Sequence, residues 1–166
     1  PDTVARLLAA LEGNPQAGAV CPAGEFFALP KAGDTALRPV PAAAAEYPFE
    51  QAVLYPKLAL VSINYFPDKY GQYYADLELF HKMKEAGKRV LVLEEIQLGG
   101  TQEATPMIDP ATAEADRLHG LATYYGKNYG FLAGFGFWLG QIFGAALRFR
   151  LGLAGSLLSG TKVDGL

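Results

Sequence analysis

Residues 70–90 read YGQYYADLELFHKMKEAGKRV, and this stretch decides the fold. An aromatic loop containing glycine leads to Asp76, at the start of a helix predicted over residues 74–86. Gly87 is the expected C-cap of that helix, and the apolar run 90–93 is typical of a fully buried strand. A helix followed at once by such a strand indicates an α/β layer. Open α/β sheets bind ligands at the edge of that layer.

The predicted helix has an inner and an outer face. Leu77, Phe80 and Met83 recur at the spacing of one helix face and are expected to point inward. Glu78 and Lys82 stand four residues apart with opposite charges, which predicts an ion pair on the outer face.

Composition limits the class of protein. The 166 residues suffice for one ordinary hydrophobic core, with 51% hydrophobic and 19% charged residues. A net charge of −3 gives no electrostatic reason to expect nucleic acid as a partner. The single cysteine, Cys21, excludes an internal disulfide and a cysteine-based zinc site. It is expected to be a small buried hydrophobe in a strand.

The spacing of apolar residues and the positions of glycine and proline predict the other helices and strands. Val4, Leu7, Leu8 and Leu11 form one face of a predicted N-terminal helix. The other predicted elements are strands at 17–21, 26–29 and 52–55, an irregular surface loop at 30–48, a short helix before residue 60, and a helix that begins at Pro110 after an Asp109 cap. Because the chain opens with Pro-Asp-Thr directly at a helix start, we expect it to be a piece of a longer protein.

Asp76 is the candidate catalytic residue. An acid in the first turn of a helix needs no function, because the helix dipole and the free backbone N–H groups stabilise it there. Three aromatic residues in the preceding loop, Tyr70, Tyr73 and Tyr74, favour a site at this place, since exposed tyrosines are common at sugar-binding sites.

The same stretch resembles the acceptor-side motif of inverting family 2 glycosyltransferases, in which an acidic pair is followed by leucine and by a glycine some ten residues on. Asp76, Leu77 and Gly87 match, while Ala75 replaces the first acid of the pair. Three further segments resemble the family in the same order: 2–20, 51–57 and 155–160, the last being similar to the tail of bacterial rhamnosyltransferase-like members.

The resemblance implies a fold and a reaction. The fold would be α/β, the acceptor half of a partial GT-A-like (nucleotide-diphospho-sugar transferase) fold with C-terminal helices. Residues 1–100 would form this half and residues 101–166 a C-terminal helical tail. Asp76 would act as general base, and Tyr70, Tyr73 and Tyr74 would bind the substrate.

Cofactor and partners also follow from the resemblance. The complete enzyme would use Mg²⁺ or Mn²⁺, held by an Asp-X-Asp that this chain lacks, so no metal is expected here. The nucleotide-sugar donor would bind the missing half, and the acceptor would be a saccharide or a lipid-linked sugar in cell-envelope polysaccharide biosynthesis. We expect a cytoplasmic protein at the inner face of the membrane, no nucleic acid, and a homo-oligomer formed through the exposed sheet edge.

Histidine is not assigned a catalytic role. The histidine that often follows the last sheet strand in the family would fall near Gly99, where none is present. His81 and His119 are out of register with it and are interpreted as surface or packing residues.

The apolar segment 129–147 contains one strongly polar residue, Gln141, and is flanked by Lys127 and Arg148. Three interpretations compete: a helix packed on the protein or on a copy of it, a helix lying in the plane of a membrane surface, and a membrane span. Gly136, Gly140 and Gly144 lie four residues apart and would permit close contact between helices.

Two other functions stay open. One is a non-catalytic α/β module whose tail mediates membrane attachment or dimerisation. The other is an unrelated α/β binding domain that holds a ligand with the loop 70–74. No nucleophile elbow, P-loop, dinucleotide fingerprint or zinc-protease motif occurs in the sequence.

Overall fold

The computed structural model describes residues 2–34, 36–48, 52–64, 70, 73–97 and 110–160. It is a mixed α/β structure with a small parallel sheet and several helices. The helices are α1 (Asp2–Glu12), α2 (Lys57–Ser62), α3 (Ala75–Glu85), α4 (Pro110–Asn128), α5 (Phe131–Leu147) and α6 (Leu151–Ser159). The strands are β1 (Ala17–Ala23), β2 (Phe26–Ala28), β3 (Arg38–Pro39), β4 (Tyr47–Pro48) and β5 (Arg89–Gln97), with a 3₁₀ turn at Ala42–Ala44.

β1 and β5 form the parallel sheet. Ala17 lies opposite Arg89 and Cys21 opposite Val92, and the ladder is interrupted by two register shifts. Cys21 is fully buried, and its thiol lies 3.6 Å from the carbonyl oxygen of Leu91. Burial raises the pKa of this thiol to about 12, which confirms the prediction of a small buried hydrophobe rather than a reactive group.

The core beside this sheet joins α1 to both strands. Leu7, Val20 and Ile96 are its buried members. The predicted helix over the first residues is confirmed, but its buried face is narrower than the periodicity indicated, because Val4 and Leu8 are 64% and 45% exposed.

The prediction that residues 90–93 are fully buried is wrong, because these residues are half-buried in β5. The sheet formed by the described residues has two strands, so β5 is hydrogen-bonded along one edge only. Parallel strands are normally covered on both faces and paired on both edges. The apolar sequence of residues 90–93 therefore suggested more burial than this two-stranded sheet provides.

The segment predicted as an irregular loop contains β3 and β4, which flank β2 in a three-stranded antiparallel sheet. Tyr47 of β4 is buried, and its ring packs edge-on against Phe80 at a centroid distance of 5.7 Å. Strands of two residues, each containing a proline, are too short to show an alternating pattern. Composition alone therefore could not reveal them.

The chain divides into two compact units. Unit 1 comprises Pro1–Pro30, Ala36–Tyr65 and Leu79–Gln102, and unit 2 comprises Lys31–Thr35, Phe66–Glu78 and Glu103–Leu166. Most of the first hundred residues fall in unit 1, yet the segments 31–35 and 66–78 belong with the C-terminal helices. Residues 76 and 78 are therefore part of unit 2.

Unit 2 contains α4, α5 and α6, which pack against one another. Their shared core consists of Ala115, Ala145, Leu153, Ala154 and Leu157. The predicted helix from Pro110 is confirmed, whereas its predicted cap Asp109 lies outside the described residues. Among the residues that the structure describes, no helix has both the length and the hydropathy to cross a bilayer.

The close contact between α4 and α5 lies at Gly134. A Cβ there would fall 2.5 Å from the carbonyl oxygen of Ala122 and 2.6 Å from the Cα of Gly126. The stripe Gly136, Gly140 and Gly144 does not form this contact, because Gly136 and Gly140 face open space.

Gly134→Ala and Gly136→Ala form a matched pair in one helix. We expect Gly134→Ala to lower the free energy of unfolding by about 1–3 kcal/mol, because the new methyl group meets backbone that cannot rotate away. Gly136→Ala should be neutral or raise it by up to about 1 kcal/mol through helix propensity. Urea denaturation of both variants measures the difference, and equal stabilities would refute the close α4–α5 contact.

Candidate functional site

Asp76 lies where the sequence predicted, in the first turn of α3. Its side chain is half-buried, and Oδ1 accepts a hydrogen bond from the backbone N–H of Leu77 at 2.9 Å. That N–H is one of the donors that a helix start leaves without an intrahelical partner. The positive end of the helix dipole also favours the ionised carboxylate. The side chain is thus anchored while part of it remains accessible.

Tyr73 and Tyr74, just before Asp76, lie against α4. Tyr74 has a positive φ of 70°, a backbone conformation uncommon outside glycine. A Cβ at Gly120 would fall 2.9 Å from the carbonyl oxygen of Tyr73 and 3.1 Å from the ring of Tyr74, so a larger residue at 120 would require these atoms to shift. The guanidinium of Arg117 lies 4.8 Å from the centroid of the Tyr73 ring, a cation–π contact.

The three predicted substrate-binding tyrosines differ in exposure. Tyr70 is 6% exposed and its hydroxyl donates to Oε2 of Glu78 at 3.2 Å. Burial, followed by the charge of Glu78 and this hydrogen bond, raises the pKa of Tyr70. Tyr73 and Tyr74, next to Asp76, are half-buried.

The prediction that Glu78 pairs with Lys82 on the outer face is wrong. Glu78 is 1% exposed. Its carboxylate accepts hydrogen bonds from Nζ of Lys127 at 2.6 Å, from Nδ2 of Asn128 at 2.8 Å and from the hydroxyl of Tyr70. Lys82 instead donates to the carbonyl oxygen of Ile63 at 3.0 Å. We call these four residues, Tyr70, Glu78, Lys127 and Asn128, the buried carboxylate cluster.

The protonation of Glu78 reflects two opposing effects. Burial by itself would raise the pKa of this carboxyl group, because it disfavours the charged form. The hydrogen bonds from Lys127 and Asn128, the positive charge of Lys127 and the Tyr70 hydroxyl outweigh burial, so the pKa lies below its ordinary value. Glu78 is therefore an ionised group whose oxygens are engaged by the protein.

Tyrosines surround this cluster. Tyr124 is fully buried, and its ring contacts those of Tyr125 and Tyr129 at centroid distances of 5.8 and 6.1 Å. The hydroxyl of Tyr125 donates to the carbonyl oxygen of Asp34 at 2.6 Å. Burial, ahead of neighbouring charges, raises the pKa of Tyr124 and of Tyr125. These phenols are structural hydrogen-bond donors at neutral pH.

Sequence reasoning missed Lys127 and Asn128 as partners of Glu78. The available signal was the run 124–129, YYGKNY, in which a cation and an amide interrupt an aromatic segment near the end of a helix. Asn128 also donates to the carbonyl oxygen of Tyr124, one turn earlier, at 3.0 Å. That bond directs its amide toward the interior.

Candidate metal-binding side chains are not grouped among the residues that the structure describes. Among the described residues, no cluster of three or more His, Cys, Asp or Glu side chains could hold a metal ion. Nε2 of His81 lies 3.6 Å from Oε1 of Glu85, one turn further along α3. His119 is half-buried on α4. Neither histidine belongs to the buried carboxylate cluster.

The described residues also form concavities away from Asp76. One of about 430 Å³ lies between α1 and α2 and is largely apolar, with Leu11, Pro15 and Leu58 among its walls. A second, of about 280 Å³, runs along α3 beside Lys84 and Arg89. A third, of about 300 Å³, is an open groove between α4 and α5. Asp76 lines none of these three.

No protein-family model, curated protein or solved structure matches the chain.

Lys127→Met tests the buried carboxylate cluster. We expect it to lower the free energy of unfolding by about 1–2 kcal/mol at pH 7, less than a fully buried pair would lose because Lys127 is partly exposed. A lowered pKa stabilises the fold above the ordinary glutamate value of 4.5, and this contribution disappears as the pH falls through the folded-state pKa. The difference from the parent chain should therefore be constant from pH 6 to 8 and shrink below about pH 4.5.

Thermal and urea unfolding across this pH range measure the effect. Lys57→Met, at an exposed lysine on α2, is the matched control and should change stability by less than about 0.5 kcal/mol. If Lys127→Met unfolded like the control at every pH, Lys127 would not stabilise the buried carboxylate.

Proposed function

We propose that this chain is the acceptor-side part of an inverting, nucleotide-sugar-dependent glycosyltransferase, with Asp76 as its general base. The observation that carries the proposal is a carboxylate in the first turn of α3 that is partly accessible, anchored to the helix backbone and preceded by Tyr73 and Tyr74. The mixed α/β structure with its parallel β1–β5 sheet is compatible with half of a GT-A-like fold.

Two acids lie near the start of α3, and their surroundings suit them to different tasks. Glu78 is buried and its oxygens receive three donors, one of them a lysine ammonium. A carboxylate in that state is a poor proton acceptor for an outside molecule. Asp76 is half-buried, so it is the acid that can meet a substrate hydroxyl.

The proposed step is a direct displacement. The acceptor hydroxyl donates its proton to the carboxylate of Asp76 as its oxygen attacks the anomeric carbon of the donor sugar. The bond from that carbon to the nucleotide diphosphate breaks, and the diphosphate leaves with the electron pair. One attack from the side opposite the leaving group inverts the anomeric configuration. Tyr73 and Tyr74 would offer flat ring surface to the acceptor sugar.

A divalent cation does not fit the described residues, which include no group of three candidate ligands. In the proposed enzyme, Mg²⁺ or Mn²⁺ and the nucleotide would therefore be bound by a part of the protein other than these residues. The chain described here would bind and orient the acceptor and take up its proton.

The main alternative is a non-catalytic α/β module. In that case Asp76 would only stabilise the start of α3, a role for which its hydrogen bond to Leu77 is sufficient. Binding of a saccharide at Tyr73 and Tyr74 without transfer would favour this alternative.

Asp76→Asn separates the two functions. Asparagine keeps the size of the side chain and an oxygen that can accept from Leu77, so the fold should be retained. In a sugar-transfer assay of the full-length polypeptide containing this segment, we expect kcat to fall by about 10²–10⁴-fold. The KM for the nucleotide sugar should change little.

Glu85→Gln is the matched control, since Glu85 is an exposed acid at the other end of the same helix. It should leave kcat within about twofold of the parent enzyme. Full transfer activity in Asp76→Asn would reject Asp76 as the base.

A further inference from the structure

Four large apolar side chains are exposed where α5 meets α6. Phe143, Leu147, Phe149 and Leu151 are 64%, 81%, 87% and 69% exposed, and they follow one another within nine residues. Phe149 also has a positive φ of 56°, which is unusual for an aromatic residue. We call these four residues the apolar corner. Large apolar surface of this kind marks an interaction site more often than chance exposure.

The apolar corner continues along α5. Leu132, Gly136, Gly140, Phe143 and Leu147 follow at spacings of three and four residues, and all are exposed. A helix of 17 residues is about 25 Å long. No charged residue occurs anywhere in α5. The helix thus presents an uncharged, apolar side along its whole length.

The opposite side of α5 is already occupied within unit 2. Ala145 belongs to the core shared with α4 and α6, and Nε1 of Trp138 donates to the carbonyl oxygen of Leu157 at 3.3 Å. Trp138 therefore helps to pack α5 against α6 and is not part of the exposed side. The exposed side of α5 is the part of its surface that does not pack into the core of the three helices.

Basic residues flank this surface in the sequence. Residues 117–159 contain four cations, Arg117, Lys127, Arg148 and Arg150, and no Asp or Glu. Arg148 lies inside the apolar corner, with its Nη1 3.9 Å from the position that a Cβ of Gly144 would take. Arg150 forms an ion pair with Glu114. Arg148 thus places a positive charge beside exposed aromatic and aliphatic groups.

We propose that the apolar corner and the exposed side of α5 bind an anionic lipid surface, with α5 lying in the plane of the membrane. Apolar side chains enter the boundary between headgroups and acyl chains while arginine meets the anionic headgroups. A second copy of the chain is the less suitable occupant, because a symmetric contact places the same apolar surface with its own Arg148 on both sides. This proposal is independent of the sugar-transfer proposal.

Vesicle binding of the 166-residue chain tests the proposal. Flotation with vesicles of phosphatidylcholine and 30 mol% phosphatidylglycerol should recover the chain, and pure phosphatidylcholine should recover several-fold less. Raising the salt from 50 to 500 mM should weaken binding to the anionic vesicles. The variant Phe143→Ser/Leu147→Ser/Phe149→Ser should lower the partition coefficient by more than about tenfold.

A matched variant controls for loss of apolar surface as such. Val4→Ser/Leu58→Ser/Val61→Ser removes three exposed apolar side chains from unit 1 and should bind vesicles like the parent chain. Circular dichroism and melting temperature establish that both triple variants fold. All the changed residues are exposed, so folding should be retained.

Three outcomes would overturn the proposal. The first is a folded parent chain that does not float with anionic vesicles. The second is equal binding by the two triple variants. The third is a lipid-free dimer by analytical ultracentrifugation that Phe143→Ser/Leu147→Ser/Phe149→Ser converts to a monomer while vesicle binding is absent. That result would make a second copy of the chain the occupant.

Discussion

The buried carboxylate of Glu78 is the constraint on which the arrangement of unit 2 depends. An ionised acid taken out of water is costly unless donors replace the lost solvent. Here the donors come from two other places in the chain: Tyr70, eight residues before, and Lys127 with Asn128, about fifty residues after. The need to satisfy one side chain therefore ties Tyr70, ahead of α3, and the last turn of α4 to the same point.

Elements whose sequence signals are local could be predicted from the sequence. The end of α3 two residues before Gly87, whose φ is 70°, follows from the glycine and from the apolar run after it. The burial of Cys21 follows from a short apolar strand between turn residues. The short strands β3 and β4 could not be predicted in this way. Their stability comes from pairing with β2, a partner that no residue within them specifies.

The partner of Glu78 shows why part of the site was beyond sequence reasoning. The i,i+4 rule compares residues along one helix and places Lys82 one turn from Glu78. It contains no information about Lys127, which lies in another helix, or about whether that side of α3 is covered. Because α4 covers this side of α3, Glu78 is removed from water. A charged donor such as Lys127 stabilises a carboxylate in that environment more than it would stabilise one exposed to water. Asp76 was easier to place, since the start of a helix is itself a local signal.

The glycines of α5 show the same limit of prediction from sequence, because the sequence does not tell which of them faces another helix. Gly134 and Gly136 are two residues apart, which turns them by about 200° around the helix axis, so one meets α4 and the other faces open space. The same rotation separates Asp76 from Glu78 on α3. One acid is thereby directed into the protein, where Lys127 and Asn128 hold it, and the other stays partly accessible. For the proposed general base this is a useful pairing, because the buried acid fixes the helix turn that carries the accessible one.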